Sequence, residues 1–477
     1  MAGTEDGGLR FDDRMTDVEA LLWSLEGHDP ALRSTMTVVA TFDRRPDLDA
    51  VADRIDELTR RLPRFRDRVA ASSLPSGRPR WEPDPDFDLE RHLIHVSAPG
   101  PVSLAQLLRI CEEDGSAPLA RDRAPWQMLF VGGTDDGPGG RQNGGSGGGG
   151  GLVVQLHHSF TDGLGAVKLA AHLFDLERHP SGLGMAPPAP QVENRPQSRG
   201  IWDDLRFEAG RNVELARRIV PWAATAVRDA VTDPQPRADA TVKMVQSFWS
   251  LARVAAGPLD PILEGRSTGV KLGALSLPID EFRRVAQRAG GTVNDVFLAG
   301  ALGGLRLYHA KRGSHPPSLR LGIPISTREG ATEGDMRNQF MPALLAVPLQ
   351  LLDPVERIRV LHELVIAARN QPALQLMDTV AEMVRRTPGS LRLISTLRNP
   401  ADVMASNIPG SPVDLYLGGA KVDQLVPIGP RGGAGLNLTL LSHVDAVHIG
   451  VNMDPVTIPD GDVLIDCLRA GFDETLG

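Results

Sequence analysis

One stretch decides the fold: Gln155-Leu156-His157-His158-Ser159-Phe160-Thr161-Asp162-Gly163. The apolar run at 152–154 that precedes it is typical of a buried strand. Apolar residues at 164, 167, 171 and 174 follow at helical spacing and predict the buried face of a helix. Asp162 and Gly163 supply the polar turn between these two elements. The two histidines are therefore predicted to lie where a strand passes into a helix.

The spacing of His158 and Asp162 suits acid–base chemistry. An imidazole at a strand end, with a carboxylate four residues later, can serve as a general base near neutral pH. A histidine pair that only packs in a structural turn is the simpler interpretation. The stretch alone leaves both interpretations open.

The pattern His157-His158-x-x-x-Asp162-Gly163 resembles the HHxxxDG motif of the wax ester synthase/diacylglycerol acyltransferase family. Other segments resemble this family in the expected order along the chain: Pro118-Leu119 with Pro125-Trp126, Asn294-Asp295, Pro324-Ile325-Ser326, and Ser406-Asn407-Ile408-Pro409-Gly410. One position departs from the family, because His443 follows Ser442 where a tyrosine is usual. We interpret His443 and His448 as strand residues rather than as catalysts.

The resemblance spans residues 16–460 and implies an α/β (α+β) fold of two chloramphenicol-acetyltransferase-like lobes. Each lobe is expected to be a mixed sheet with helices, and a helical connector is expected to join them. A length of 477 residues also favours two domains and a connector. The predicted boundaries are 15–179 for the lobe with the HHxxxDG motif, 180–265 for the linker and connector, and 266–477 for the second lobe.

Local patterns predict individual elements. A hairpin should pair 126–131 with 152–156 across the glycine-rich loop at 137–151, which is expected to be flexible. Asp280 is predicted to cap a helix at 279–289, and Thr292 with Asp295 has capping-box spacing. Strands are predicted at 34–42, 272–277, 319–326 and 415–422, and a terminal hairpin at 435–442 and 447–452.

The resemblance implies transfer of a fatty acyl group from acyl-CoA to a long-chain alcohol or diacylglycerol. His158 is then the general base, His157 packs or orients, and Asp162 locks the loop by pairing with an arginine. Gly163 is expected beside the substrate. Asn294 and Ser326 are candidate oxyanion donors, while Asp295 is either a helix cap or a catalytic group. No bound metal or cofactor is expected.

Composition limits the partners and the compartment. A net charge of -9 argues against nucleic acid as the main partner, and the two cysteines fit a reducing cytoplasm. The sequence has no run of eighteen apolar residues, which a membrane-spanning helix would need. The helical segment at 201–256 carries Trp202, Trp222 and Trp249, so it either bridges the lobes or contacts a membrane or lipid-droplet surface. Arg211, Arg217 and Arg218 in the same segment are expected to attract anionic lipid headgroups, which predicts a weak, salt-sensitive association.

Two other functions are compatible with the sequence. The HHxxxDG pattern also marks condensation domains of peptide synthetases, which suggests an acyltransferase of natural-product biosynthesis. A non-catalytic lipid-binding relative is the second alternative. The absence of a carrier domain and the three later segments favour the lipid-forming enzyme.

Overall fold

The computed structural model describes thirteen segments of the chain, from residue 4 to residue 477. They are 4–6, 9–74, 77–98, 102–114, 117–133, 150–180, 201–211, 213, 260–326, 340–371, 377–387, 389–390 and 401–477. The predicted glycine-rich loop at 137–151 and the connector at 180–265 lie largely outside these residues.

The first half of the chain has a succession of short strands and helices, followed by a helical stretch at 201–211. Its labelled elements are β1 (Thr4–Asp6), β2 (Leu9–Phe11), α1 (Asp17–His28), β3 (Thr35–Phe42), α2 (Leu48–Arg61), β4 (Asp67–Ala70), β5 (Arg80–Pro83), β6 (Leu93–Ala98), α3 (Leu104–Asp114), β7 (Trp126–Gly133), β8 (Gly151–His157) and α4 (Gly163–Leu173).

The second half repeats the mixture of strands and helices and ends in a long helix. Its elements are β9 (Lys271–Pro278), α5 (Ile279–Ala289), α6 (Val293–Lys311), β10 (Ser318–Ser326), β11 (Phe340–Pro348), α7 (Pro354–Arg369), α8 (Met377–Arg386), β12 (Val403–Ile408), β13 (Tyr416–Leu417), β14 (Ala420–Ile428), β15 (Leu436–His443), β16 (Ala446–Met453) and α9 (Gly461–Leu476).

Two six-stranded mixed sheets form the two lobes, as the resemblance implied. The first has the order β13-β14-β3-β8-β7-β6, in which only β6 and β7 are parallel. The second has the order β11-β10-β12-β15-β16-β9, in which β10, β12 and β15 run parallel. The predicted hairpin is confirmed, with Trp126 opposite Leu156.

Strand β14 belongs to the second half of the chain but pairs with β3 of the first sheet, with Val422 opposite Phe42. The single strand predicted at 415–422 is wrong, because the chain turns at Gly418 and Gly419, whose φ angles are 54° and 76°. Glycine adopts this left-handed conformation without steric cost. The turn separates the short β13 from β14 and directs β14 along β3.

Three apolar clusters hold the lobes together. One lies between the second sheet and α5, α6, α7 and α9. Another packs α2 and α4 on one face of the first sheet. The third joins α3 and the opposite face of that sheet, including Val426 and Ile428 of β14, to Leu272 of β9. The third cluster fixes the two lobes against each other, because it contains residues of both.

Two helix starts test the capping predictions. Thr292 and Asp295 form a capping box at the start of α6, as predicted. The cap predicted for α5 is wrong: Pro278 occupies the cap position, and Asp280 lies in the first turn, 3.0 Å from Arg283. The side chain of proline has no hydrogen-bond acceptor, so α5 begins without a side-chain cap.

Candidate active site

The two histidines of the motif lie at the end of β8, as the sequence predicts. His157 is the last residue of the strand and lies opposite Thr35 of β3. The backbone N–H of His158 donates to the carbonyl oxygen of Ser34, at 2.7 Å. The chain then turns, with the N–H of Phe160 donating to the carbonyl of His157 at 2.8 Å. His158 is thus the first residue beyond the strand.

His158 lies deep in the protein, yet part of its surface remains accessible. Burial lowers the pKa of its imidazole to about 4, because a charged ring would lose its hydration there. A hydrogen bond to its own backbone and the charge of Asp162 act in the opposite direction, without cancelling the effect of burial. The ring is therefore uncharged at neutral pH, which is the form that accepts a proton.

His157 is fully enclosed and has a polar partner for each ring nitrogen. Its Nδ1 lies 3.0 Å from the backbone nitrogen of Ser159 and 2.7 Å from the Ser159 hydroxyl. Its Nε2 lies 2.9 Å from Oε2 of Glu26. The ring of Trp23 meets it edge-on, with a centroid distance of 4.9 Å. These contacts fix the position of the His157 ring, and its role in the reaction stays a prediction.

Asp162 begins the helix that follows the turn. It is buried, and its Oδ1 accepts from the N–H of Gly165 at 2.8 Å, which makes it the N-cap of α4. This bond satisfies an N–H that the first turn of a helix leaves without an intrahelical partner. The expected pairing of Asp162 with an arginine stays a prediction.

Gly163 brings the motif into contact with the second half of the chain. A Cβ atom built on Gly163 would lie 3.1 Å from Cδ1 of Ile408, the last residue of β12. Ile408 belongs to the 406–410 segment, and the N–H of Gly410 in that segment donates to the Ser442 hydroxyl at 3.2 Å. The structure therefore joins the HHxxxDG and 406–410 segments, which are far apart in sequence.

Ser326 lies at the end of the parallel strand next to β12. Strands β10 and β12 pair at Leu321–Val403 and Gly322–Met404 and run in the same direction. Ser326 and Ile408, which end these strands, therefore lie at the same edge of the sheet. The carboxyl ends of parallel strands are a common location of ligand sites. The side chain of Ser326 lies outside the described residues.

Asn294 and Asp295 lie in the first turn of α6. Asp295 is buried, and its Oδ2 accepts from the backbone N–H and the hydroxyl of Thr292, at 2.7 and 2.8 Å. It also lies 2.8 Å from Nδ1 of His362 on α7. These contacts belong to the helical layer of the second sheet, so they support the cap interpretation of Asp295. Asn294 is half-buried in the same turn.

His443 and His448 are confirmed as strand residues, in β15 and β16. Both are buried, and burial lowers the pKa of His448 to about 4. The hydroxyl of Ser276 lies 2.8 Å from Nδ1 of His448.

Three residues around the motif were not found by sequence reasoning: Trp23, Glu26 and Arg121. Arg121 lies over the Trp23 ring at 4.2 Å and donates to the Trp23 carbonyl oxygen at 2.7 Å. Glu26 and His157 are 131 residues apart in sequence. The apolar pattern of α1 gave no signal for this contact, because it describes packing and not hydrogen bonding.

A small cleft lies between the lobes, beside the end of β8. Its lining includes Thr35, Thr37 and Gln155 of the first lobe and Arg431 and Asn452 of the second, together with apolar side chains such as Leu272 and Ile428. Thr35 is the cross-strand neighbour of His157, so the cleft approaches the motif from the side of the first sheet that faces the second lobe.

Comparisons with known proteins agree with this architecture. The model of the wax ester synthase/diacylglycerol acyltransferase catalytic domain matches residues 15–297, and the model of the WS/DGAT C-terminal domain matches 336–475. The chain belongs to this family. A Mycobacterium tuberculosis H37Rv relative named as a diacylglycerol O-acyltransferase is 30% identical over 473 residues, which are 98% of this chain and 92% of the relative. A second from the same strain is 28% identical, over 97% of each chain.

Two solved structures share the fold of this family member. The wax ester synthase/diacylglycerol acyltransferase of Marinobacter aquaeolei VT8 superposes with a TM-score of 0.62 at 20% identity, covering 97% of this chain and 98% of that one. The first condensation domain of the calcium-dependent antibiotic synthetase gives 0.58 at 15% identity, covering 100% and 98%. Both confirm two chloramphenicol-acetyltransferase-like lobes. Family membership makes the chain an acyltransferase.

Proposed function

We propose that this acyltransferase moves a fatty acyl group from acyl-CoA to a long-chain alcohol or a diacylglycerol, forming a wax ester or a triacylglycerol. His158 is the general base. The observation that carries the proposal is the uncharged, interior imidazole of His158, placed at the junction of both lobes by the HHxxxDG turn. The names of the family and of the mycobacterial relatives support the substrate class.

The reaction requires one base that works twice. An imidazole nitrogen of His158 takes the hydroxyl proton while the alcohol oxygen attacks the thioester carbonyl. The tetrahedral intermediate collapses, the carbon–sulfur bond breaks, and the coenzyme A thiolate receives the same proton. A ring N–H that donates to the residue's own backbone would fix the tautomer and leave the other nitrogen with the lone pair that the hydroxyl needs.

The negative charge that develops on the carbonyl oxygen needs hydrogen-bond donors. We assign Ser326 as the first candidate, because its strand ends at the sheet edge that meets the HHxxxDG turn. Asn294 is the second candidate, from the first turn of α6. Gly163 lines the approach by leaving room beside Ile408. No metal or bound cofactor takes part in the proposed steps.

The test is an assay of purified protein with palmitoyl-CoA and a panel of fatty alcohols and diacylglycerols. His158→Ala should reduce turnover by about a hundred- to ten-thousand-fold with an unchanged melting curve, as loss of a general base does. His448→Gln is the matched control, since His448 is a buried histidine with a similarly low pKa and lies in strand β16. Normal turnover by His158→Ala would refute the assignment. Binding of acyl-CoA by the wild type without turnover would favour the lipid-binding alternative.

We also propose that the protein works in the cytoplasm and meets a membrane or lipid-droplet surface reversibly. In the described parts of the chain, no helix has the length and apolarity needed to cross a bilayer. The 201–211 helix offers a contact: Ile201, Trp202 and Leu205 are 48%, 74% and 40% exposed. On another side of this helix, Asp204 is fully buried against Arg14 at 2.7 Å. Such an outward apolar face suits a lipid interface.

The structure does not support the expected attraction between Arg211 and anionic lipid headgroups. Arg211 was expected to face lipid headgroups, but it lies 2.8 Å from Asp17 and 3.0 Å from Glu382, so its charge is already paired. Trp222, Trp249, Arg217 and Arg218, which belonged to the same expectation, lie outside the described residues. The proposed contact therefore depends on apolar burial more than on charge, and its affinity should vary little with salt.

Liposome flotation tests this contact. The triple variant Ile201→Ala/Trp202→Ala/Leu205→Ala should float less than the wild type. The control is Leu176→Ala/Leu352→Ala/Val456→Ala, which removes three comparably exposed side chains, at 69%, 66% and 63%, from other surfaces. Equal flotation of both variants, or no flotation of the wild type, would refute the proposed surface.

A further inference from the structure

Glu26 carries a buried carboxylate in the last turn of α1. Its Oε2 is shared by two parts of the site, since it lies 2.9 Å from Nε2 of His157 and accepts from the backbone N–H of Ser34 at 3.0 Å. These two residues lie on adjacent strands, because Ser34 immediately precedes β3 and His157 ends β8. One oxygen therefore ties α1 to both strands.

The backbone determines the direction of the bond between Glu26 and His157. The N–H of Ser159 can only donate, so Nδ1 of His157 accepts, and we assign the ring hydrogen to Nε2. Nε2–H then donates to Glu26. An acceptor is therefore required at position 26, whereas a negative charge there is not.

These hydrogen bonds form a closed loop that includes the backbone of His158. Glu26 accepts from His157, the peptide chain continues to His158, the His158 N–H donates to the Ser34 carbonyl, and the Ser34 N–H returns to Glu26. We propose that Glu26 is a positioning residue that sets where the His158 imidazole stands. The inference depends on the proposed role of His158 as the base.

The surroundings of Glu26 hold its carboxylate in place within this hydrogen-bonded loop. Burial acts to raise the pKa of Glu26, but the hydrogen bond from His157, the Ser34 N–H and the charge of Arg121 together hold it below the usual value. Arg121 also lies over Trp23, whose ring packs on His157. The carboxylate is therefore ionised and held by contacts on several sides.

Two substitutions of Glu26 separate the effect of side-chain length from the effect of the negative charge. Glu26→Gln keeps the length of the side chain and offers an amide oxygen to the same two donors, but it removes the charge. Glu26→Asp keeps the charge but shortens the side chain by one methylene, so the oxygen cannot reach both donors. Two buried N–H groups would then lose their acceptor, and the turn would shift to find another.

The experiment measures kcat and KM for palmitoyl-CoA together with hydrogen exchange of the peptide that covers residues 155–163. Glu26→Gln should stay within about threefold of the wild-type kcat. Glu26→Asp should lose about 10- to 100-fold in kcat with little change in KM, because a displacement near 1 Å can cost that much. The exchange of the His158 amide should become faster in Glu26→Asp alone.

Glu57→Asp is the matched control, because Glu57 is a similarly buried glutamate that pairs with Arg61 at 2.6 Å on α2. It should affect the melting temperature but not the kcat. A wild-type kcat for Glu26→Asp, or a low kcat for Glu26→Gln with a normal one for Glu26→Asp, would overturn the inference. Activity of His158→Ala, measured in parallel, would instead refute the proposed function, so the two failures are distinguishable.

Discussion

The pH dependence of the reaction follows from the position of His158. Burial lowers its pKa from 6.5 to about 4 in the free enzyme. At pH 5.5 an imidazole with a pKa near 4 is about 97% uncharged, whereas one with the ordinary value is only about 9% uncharged. At this pH the uncharged fraction of the buried histidine is therefore about ten times that of a solvated histidine.

We expect kcat/KM to stay level from about pH 8 to pH 5 and to fall with a midpoint near 4, since kcat/KM reports the free enzyme. The free energy of unfolding should also depend on the protonation of His158. The pKa of His158 is lower in the folded than in the unfolded chain, so protonation favours unfolding. The contribution of this group to stability is therefore lost as the pH falls from 6.5 through 4.

The assay should separate and count the ester product at each pH. Continuous detection of free coenzyme A with thiol reagents is unsuitable, because these reagents need the thiolate, which is scarce at acidic pH. Enzyme held at each pH and then returned to pH 7.5 reports irreversible inactivation. His448→Gln removes the other histidine with a pKa of about 4 and should leave the midpoint unchanged.

A midpoint near 6.5 for both the wild type and His448→Gln, with full activity after return to pH 7.5, would refute the reasoning. The imidazole that carries the reaction would then be solvated. Either His158 would not be the base, or its environment in the working enzyme would differ from the one described.

Three further substitutions test the parts around the base. Asp162→Ala removes the N-cap of α4 and should cost about 1 kcal/mol of stability together with some rate; a rate defect at unchanged melting temperature would assign Asp162 to the chemistry. Asp295→Ala removes a capping box and the contact with His362, so it should lower the melting temperature by a few degrees and preserve kcat; the opposite result would make Asp295 catalytic. Gly163→Val should collide with Ile408 and slow the reaction, and Ile408→Ala should partly restore it; no recovery would show that this contact does not limit the rate.

Local sequence rules predicted the elements well where the determining residues are close neighbours. The capping box of Thr292 with Asp295 lies within four residues and is present. The alternation and length of 126–131 and 152–156 predicted a correct hairpin. The strand, turn and helix around His157 and His158 followed from the same kind of local pattern.

The sequence reasoning failed where a contact joins distant residues. Helix α9 was missed although its apolar residues have helical spacing, and it packs so closely on α6 that a Cβ on Gly304 would lie 2.5 Å from the Leu468 backbone. The apolar pattern of β14 does not predict that this strand pairs with β3. Glu26 was missed for the same reason, since α1 and the HHxxxDG stretch meet only in the folded chain.

The pairing of β14 with β3 has a consequence for how the protein is synthesised. Phe42 finds its partner Val422 only after about 380 further residues have been made. At 5 to 20 residues per second, the edge of β3 therefore waits about 20 to 80 s for its neighbour on the ribosome. An unpaired strand edge invites pairing with other chains. A chain released early, before residue 420, would keep that edge open, so translational pausing in the second half should promote aggregation of the first.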